Sequence, residues 1–145
     1  MTEIHRSALV PHSAETLFDL INHVPAYPDF LEEVVAADVL EVSETHMVGR
    51  MVVRKAGIEK TLVTHNRLER PHRIELTLKH GPLKSLNGIW TLKPLGDNGC
   101  RVSLDLSFET QGQLTAMAFG PIFKQLADRM VDAFVRRADE RARSA

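Results

Sequence analysis

The chain has 145 residues, a length that suits one domain with a substantial core. Hydrophobic residues make up 43%, charged residues 26%, and the formal net charge is -1, so bulk charge predicts attraction neither to nucleic acid nor to an acidic membrane. Cys100 is the single cysteine, which excludes an intramolecular disulfide and fits a reducing compartment. With no apolar run long enough to span a bilayer and no secretory pattern at the start, we expect one cytoplasmic domain over residues 1–145.

The first elements are a strand and a short helix. Residues 3–10 alternate between apolar and polar positions and end at Pro11, which predicts a strand. Ser13 is a suitable N-cap for the following helix. That helix has an apolar face at helical spacing, formed by Leu17, Leu20, Ile21 and Val24. Pro25 is expected to end it.

Residues 22–34, "NHVPAYPDFLEEV", form a segment that we call the elbow. Pro25 and Pro28 exclude a regular helix or strand here, so a short helical turn or a structured loop is expected. Tyr27 and Phe30 give this connection two aromatic rings that a simple link would not need. The rings either plug one end of the core, as buried aromatics commonly do, or serve a binding site.

Six strands are predicted next, because apolar and polar residues alternate through 34–42, 46–56, 58–70, 73–80, 86–95 and 100–109. Such alternation is typical of an antiparallel sheet with one face dry and the other wet. On this pattern Trp90 lies on the dry face beside Leu76 and Leu104.

A long helix is predicted from about residue 113 to 141. Its apolar stripe is Phe119, Phe123, Leu126, Met130 and Phe134, and Gly120-Pro121 is expected to kink it. Arg136, Arg137, Arg141 and Arg143 crowd its C-terminal end, which is either a solvated helix end or, with Lys124 and Arg129, a surface for phosphate. The expected fold class is α+β: a curved antiparallel sheet of about seven strands packed by this C-terminal helix.

No motif for catalysis or metal binding is present. The chain lacks a nucleotide-binding glycine loop, a G-x-S-x-G turn and an H-E-x-x-H helix, and its seven histidines lack zinc-like spacing. We therefore expect no catalytic residue, no metal site and no required cofactor.

Lys55 and Lys60 leave two alternatives open. If alternation holds along their strands, both point to the dry face, as do Thr64 and Asn66. A lone buried ammonium is costly, so the two lysines would then hold a polar head group at a cavity mouth. Alternatively, a bulge at Gly57 turns both lysines to solvent.

Four motifs, "VPAYPDFL", "KAG", "GPLKSLNGIW" and "AFGPIFKQLADRMVDAFVRRA", occur in an order and spacing that resemble the bacterial branch of the coenzyme Q-binding protein family. The resemblance covers roughly residues 3–140. That family belongs to the START-like, polyketide cyclase and lipid-transport superfamily with the helix-grip fold. Leu83 and Glu32 depart mildly from the family pattern.

The resemblance implies a lipid-binding module. It would bind ubiquinone or a related isoprenoid or hydrophobic ligand in a cavity between the sheet and the C-terminal helix, and so support respiration. The elbow would lie near the mouth of the cavity. The residues expected to bind the ligand are Tyr27, Phe30, Met51, Val53, Leu62, Leu76, Leu78, Trp90, Leu104, Phe119, Phe123, Leu126 and Met130, with Lys55 and Lys60 as head-group contacts.

Two other functions follow from the same resemblance. Bacterial members of the family include the ribosome association toxin, so the alternative is a protein that binds the large ribosomal subunit and blocks subunit association. A cyclase or aromatase shares the fold and is the third hypothesis, although fold does not fix function. The expected partners are thus a quinone or other lipid, the large ribosomal subunit, and the inner membrane as a peripheral contact, with no DNA.

Overall fold

The computed structural model describes residues 1–144 and the side chains of residues 1–143. One antiparallel sheet of seven strands forms the scaffold, in the order β1-β7-β6-β5-β4-β3-β2. The strands are β1 (Thr2–Val10), β2 (Val34–Val42), β3 (His46–Lys55), β4 (Ile58–Glu69), β5 (Arg73–His80), β6 (Leu83–Pro94) and β7 (Cys100–Thr110). The helices are α1 (Ala14–Asn22), a 3-10 turn in the elbow (Val24–Asp29), α2 (Gln113–Ala118) and α3 (Gly120–Ser144). The predicted α+β class and order of elements are confirmed.

The short helix α1 begins where the sequence predicts. The Ser13 hydroxyl accepts a hydrogen bond from the Thr16 backbone amide at 3.2 Å, which satisfies one of the free donors at the helix start. Leu17, Phe18 and Ile21 are buried, so this face packs into the core. The helix ends at Asn22, just before the 3-10 turn that contains Pro25 and Pro28.

Alternation along the strands produces the dry face of the sheet. Trp90 on β6 lies opposite Ile74 on β5 and Leu104 on β7, and all three side chains are 1% exposed. Leu76 is on the same face, two residues after Ile74 on β5 and opposite Gly88. The predicted position of Trp90 on the dry face is therefore confirmed.

A tight turn, rather than a bulge, joins β3 to β4. Ala56 and Gly57 both have positive φ, 51° and 80°, and Lys55 pairs directly with Ile58. Two central residues of this kind form the hairpin turn that matches the twist of the flanking strands. The register is thus unbroken at the hairpin.

The C-terminal segment consists of two helices instead of one kinked helix. The short helix α2 ends at Ala118, and α3 begins at Gly120 and runs to Ser144. The reason is local, since Pro121 falls in the first turn of α3, where its missing backbone donor costs least. No residue of α2 is buried, whereas Phe119, Phe123, Leu126 and Phe134 are buried against the sheet. No helix among residues 1–144 has the length and apolar character that a membrane span requires.

Candidate functional site

A cavity of about 70 Å³ lies in the core between the dry face of the sheet, the end of α1, the elbow and α3. Eight of the residues predicted to bind a ligand line it: Tyr27, Met51, Leu62, Leu76, Trp90, Leu104, Phe123 and Met130. Seven predicted contacts do not line it: Phe30, Val53, Leu78, Phe119, Leu126, Lys55 and Lys60. Ten lining residues are absent from the predicted ligand contacts, although Thr64 and Asn66 among them were expected on the dry face: Ile21, Asn22, Val24, Gly49, Arg50, Thr64, Asn66, Ile74, Leu86 and Leu106.

Alternation contained part of the missing signal. Gly49 is two residues from Met51 on β3, and Ile74 is two residues from Leu76 on β5, so each pair shares a face. Asn22 could not be found in this way, because its position depends on how the end of α1 docks. Taken together, the lining residues form a wall that is largely apolar, with a few polar groups.

The elbow is held against α3 by aromatic packing. The Phe134 ring makes edge-to-face contacts with Tyr27 and Phe30, at centroid distances of 5.4 and 5.2 Å. The Tyr27 hydroxyl donates a hydrogen bond to the Ile21 carbonyl oxygen, and burial raises the pKa of this hydroxyl far above its usual value. Tyr27 thus packs the core and lines the cavity at once.

Phe30 packs on the outer side of this aromatic group. The ring is half-buried, and the Arg137 guanidinium carbon lies 5.4 Å from its centroid, within range of a cation–π contact. The elbow therefore carries one cavity-lining ring and one ring that fastens it to α3.

Lys55 takes part in an ion-pair cluster outside the cavity. Its Nζ donates to Gln125 Oε1 at 2.5 Å and lies 3.8 Å from Glu33 Oε1. Glu33 is only 4% exposed and also pairs with the Arg129 guanidinium. The two positive charges compensate the buried carboxylate, so Lys55 and Arg129 fasten the end of the elbow to β3 and α3.

Lys60 is exposed, so the solvent-facing alternative holds for its side chain, although no bulge at Gly57 turns it outward. It pairs with Val53 in the sheet and so has the register of the dry face. Val53 is fully buried, but Lys60 lies near the end of the sheet, where its long side chain reaches solvent. Periodicity placed Lys60 on the correct face of the sheet. It could not show how far the helices extend over that face.

Besides Tyr27, whose hydroxyl is bonded to the Ile21 carbonyl, three uncharged polar side chains line the described part of the cavity. Asn22 comes from α1, and Thr64 and Asn66 come from the dry face of β4. Arg50 is the charged residue among the lining residues that the structure describes, and its guanidinium is bonded to Asp38 at 2.9 and 2.6 Å. The cavity thus suits a neutral molecule with an apolar body. Within residues 1–144, no three His, Cys, Asp or Glu side chains come together as a metal site would need.

Comparison with known proteins identifies the family. The chain is 46% identical over 140 residues to the ribosome association toxin RatA of Vibrio cholerae, and the match covers 97% of each chain. It is 43% identical over 139 residues to the ribosome association toxin RatA of Pseudomonas aeruginosa, covering 96% of each. Among solved structures, the Zhui aromatase/cyclase of Streptomyces sp. R1128 superposes with a TM-score of 0.83 over 97% of this chain and 95% of the other. At 16% identity this likeness shows the helix-grip fold alone. Residues 10–135 match the family described as polyketide cyclase / dehydrase and lipid transport, and the chain belongs to that START-like family.

Proposed function

We propose that this protein is a ribosome-directed interaction protein whose partner is the large ribosomal subunit. The observation that carries the proposal is the relationship to the two ribosome association toxins, which extends over 96–97% of the chain at 43–46% identity. A shared partner is the simplest expectation for relatives that match over nearly the whole length of both chains.

The C-terminal end of α3 is the surface best suited to ribosomal RNA. Arg136, Arg141 and Arg143 are exposed there. Arg137, in contrast, is 21% exposed and lies 3.9 Å from Asp29 and 4.0 Å from Glu140. Lys124 and Arg129 are likewise engaged, with Asp128 and Glu33. The three exposed arginines are therefore the candidates for contact with phosphate.

Co-sedimentation with purified large subunits tests this proposal. We expect the protein to sediment with large subunits and to shift whole ribosomes toward free subunits. Replacing Arg136, Arg141 and Arg143 by Gln should weaken binding and lower its salt dependence, because fewer counterions are released. A matched triple replacement of the exposed Lys60, Lys79 and Lys93 by Gln removes the same charge elsewhere. Failure of the wild type to bind would overturn the function, and equal losses in both variants would overturn the assigned surface.

A second candidate function is binding of a hydrophobic molecule in the cavity. The apolar wall favours it, and a quinone or related isoprenoid linked to respiration is the class that the family resemblance suggests. A cavity of about 70 Å³ is far below the about 300–1,000 Å³ typical of sites for drug-sized ligands. A ring with an isoprenoid tail therefore requires the wall to move outward.

Mass spectrometry of organic extracts from natively purified protein tests this second function. A carrier should yield a lipid in near-stoichiometric amount. A short-chain quinone should also quench Trp90 fluorescence saturably, because Trp90 lines the cavity. Extracts without lipid, together with quenching no stronger than for free tryptophan, would contradict a quinone-binding role.

A further inference from the structure

Two amide oxygens in the cavity wall lack hydrogen-bond partners among the described residues. Asn66 is 5% exposed, and its Oδ1 accepts no hydrogen bond from any residue that the structure describes. The same holds for Oδ1 of Asn22. Buried polar groups are nearly always paired, and leaving one unpaired is costly. Two unpaired amide oxygens in the wall of one cavity therefore indicate a molecule that brings hydrogen-bond donors to it.

The two amides come from different elements of the fold, one from α1 and one from β4. A local irregularity in one element therefore does not explain why both oxygens are unpaired. Asn22 is the last residue of α1, and Asn66 lies in the middle of the sheet between Met47 on β3 and Leu76 on β5. Thr64 is two residues before Asn66 on the same face of β4 and also lines the cavity. The polar groups thus converge on a wall that is otherwise apolar, which is the arrangement of a small-molecule site.

The chemistry of the wall restricts the ligand. An amide oxygen is an acceptor, so it needs an O–H or N–H group. Leu76, Trp90, Leu104 and Phe123 line the rest of the cavity and favour an apolar body. The Arg50 charge is engaged with Asp38, so no charge is offered to an ionic head group by the described wall.

We propose that the cavity selects a neutral apolar molecule that carries a hydroxyl group, which donates its hydrogen bond to Asn66 or Asn22. This inference rests on the second proposed function, that the cavity holds a ligand.

The preference for a hydroxyl group also follows from the water that such a group would replace. A cavity of about 70 Å³ admits water, which can serve the amides in the unliganded protein. A hydroxyl group replaces such a water and its hydrogen bond, whereas a methyl group displaces the water and replaces nothing. Hydroxyl and methyl groups have nearly the same size, so the difference reports hydrogen bonding.

The test uses 4-methylphenol and p-xylene, which differ only by hydroxyl for methyl. Titration of each into wild-type protein, followed by Trp90 fluorescence and two-dimensional NMR, gives two affinities and their ratio. Transfer from water favours p-xylene, so the informative quantity is the change in that ratio between variants. The ratio is the affinity for 4-methylphenol divided by the affinity for p-xylene. We expect Asn66→Leu to lower this ratio by roughly three- to tenfold, the contribution of one hydrogen bond.

Two further variants complete the design. Asn22→Leu makes the same test at the second amide and decides the matter if Asn66→Leu fails to fold. Asn87→Leu places the same substitution on an exposed position of β6 and should leave the ratio unchanged. An unchanged ratio in both cavity variants, with both probes bound, overturns hydroxyl selection and leaves the hydrophobic cavity function standing. If neither probe binds the wild-type protein, the inference and the cavity function are overturned together. The proposal of ribosome binding does not depend on this result, because co-sedimentation tests it.

Discussion

Two neighbouring parts of the core share walls and differ in how they are filled. Around Phe134, rings of Tyr27, Phe30 and Trp90 approach to centroid distances of 5.2–5.4 Å and occupy the space between the elbow and α3. Around Asn66, by contrast, the wall encloses about 70 Å³. Tyr27 and Trp90 belong to both parts, so the filled part positions two walls of the unfilled one. The ring contacts thus fix the positions of Tyr27 and Trp90, and the space left beside them forms the cavity.

The largest expected effect comes from emptying the filled part. Phe134 is fully buried at the centre of the ring contacts, so Phe134→Ala should lower the free energy of unfolding by about 3–5 kcal/mol. Urea denaturation followed by circular dichroism measures it. Phe30→Ala is the matched control, because Phe30 is half-buried and should cost clearly less. Equal losses for the two variants would contradict the central role of Phe134.

A second comparison separates a buried ion pair from an exposed one. Arg129→Met leaves Glu33, 4% exposed, with only the more distant Lys55 ammonium, 3.8 Å away. We expect a loss of about 1–3 kcal/mol in the free energy of unfolding, the cost of a poorly compensated buried group.

The control for this substitution is Lys124→Met. Lys124 pairs with Asp128 at 2.8 Å, but its side chain is 55% exposed, so the expected loss is within about 1 kcal/mol. Thermal and urea unfolding of both variants give the comparison. A loss for Lys124→Met as large as that for Arg129→Met would mean that burial of Glu33 does not govern the energetics.

Two glycines on the dry face sharpen the contrast between filled and unfilled space. A Cβ at Gly88 would lie 2.5 Å from Leu106 Cδ1, and Leu106 lines the cavity. Gly88→Ala should therefore push Leu106 into the cavity and cost about 1–2 kcal/mol through overpacking. At Gly49 the nearest atom is Val24 Cγ2 at 3.5 Å, an ordinary contact, so Gly49→Ala should change stability by less than about 0.5 kcal/mol.

Calorimetric melting temperatures and p-xylene affinity measure both glycine variants. Gly88→Ala should lower both quantities, and Gly49→Ala should lower neither by much. The reverse order of melting temperatures would show that Leu106 moves into the cavity at little cost, so that the close approach at Gly88 does not govern stability.

The sequence predicts the scaffold better than the cavity, for a physical reason. Alternation and capping are local, so the seven-strand order of elements and the start of α1 at Ser13 could be read directly from neighbouring residues. The Gly120-Pro121 pair located the irregularity in the C-terminal segment, but it predicted a kink where the structure has a break between two helices. Which inward residues meet empty space depends on long-range docking. This is why the predicted ligand contacts leave out Asn22 and Leu106, which line the cavity, and include Phe119 and Leu126, which are buried outside its lining. The direction of Lys60 stayed open in the sequence for the same reason, since register does not show how far the helices extend over the sheet.

The smallest effect on stability, and the one most informative about dynamics, is expected at the junction of α2 and α3. Any molecule larger than the cavity needs an opening movement, and α2 is attached to the core with no buried residue of its own. Phe123, one turn beyond Phe119, lines the cavity, so movement at this junction changes the wall. The double replacement Gly120→Ala and Pro121→Ala should stiffen the junction by providing better helix formers.

The gain in stability should be small, because a Cβ at Gly120 would lie a tight 3.3 Å from Thr110 Cγ2, and Pro121 already suits the first turn of a helix. We expect the unfolding free energy to stay within about 0.5 kcal/mol. Stopped-flow quenching of Trp90 by a short-chain quinone should become slower, while the equilibrium affinity changes less. Leu114→Ala, at an exposed position of α2, controls for the outer surface of that helix. Loading at the wild-type rate in the double variant would move the gate to the elbow, where Tyr27 contacts the cavity and Pro25 and Pro28 restrict the backbone so that the segment moves as a unit.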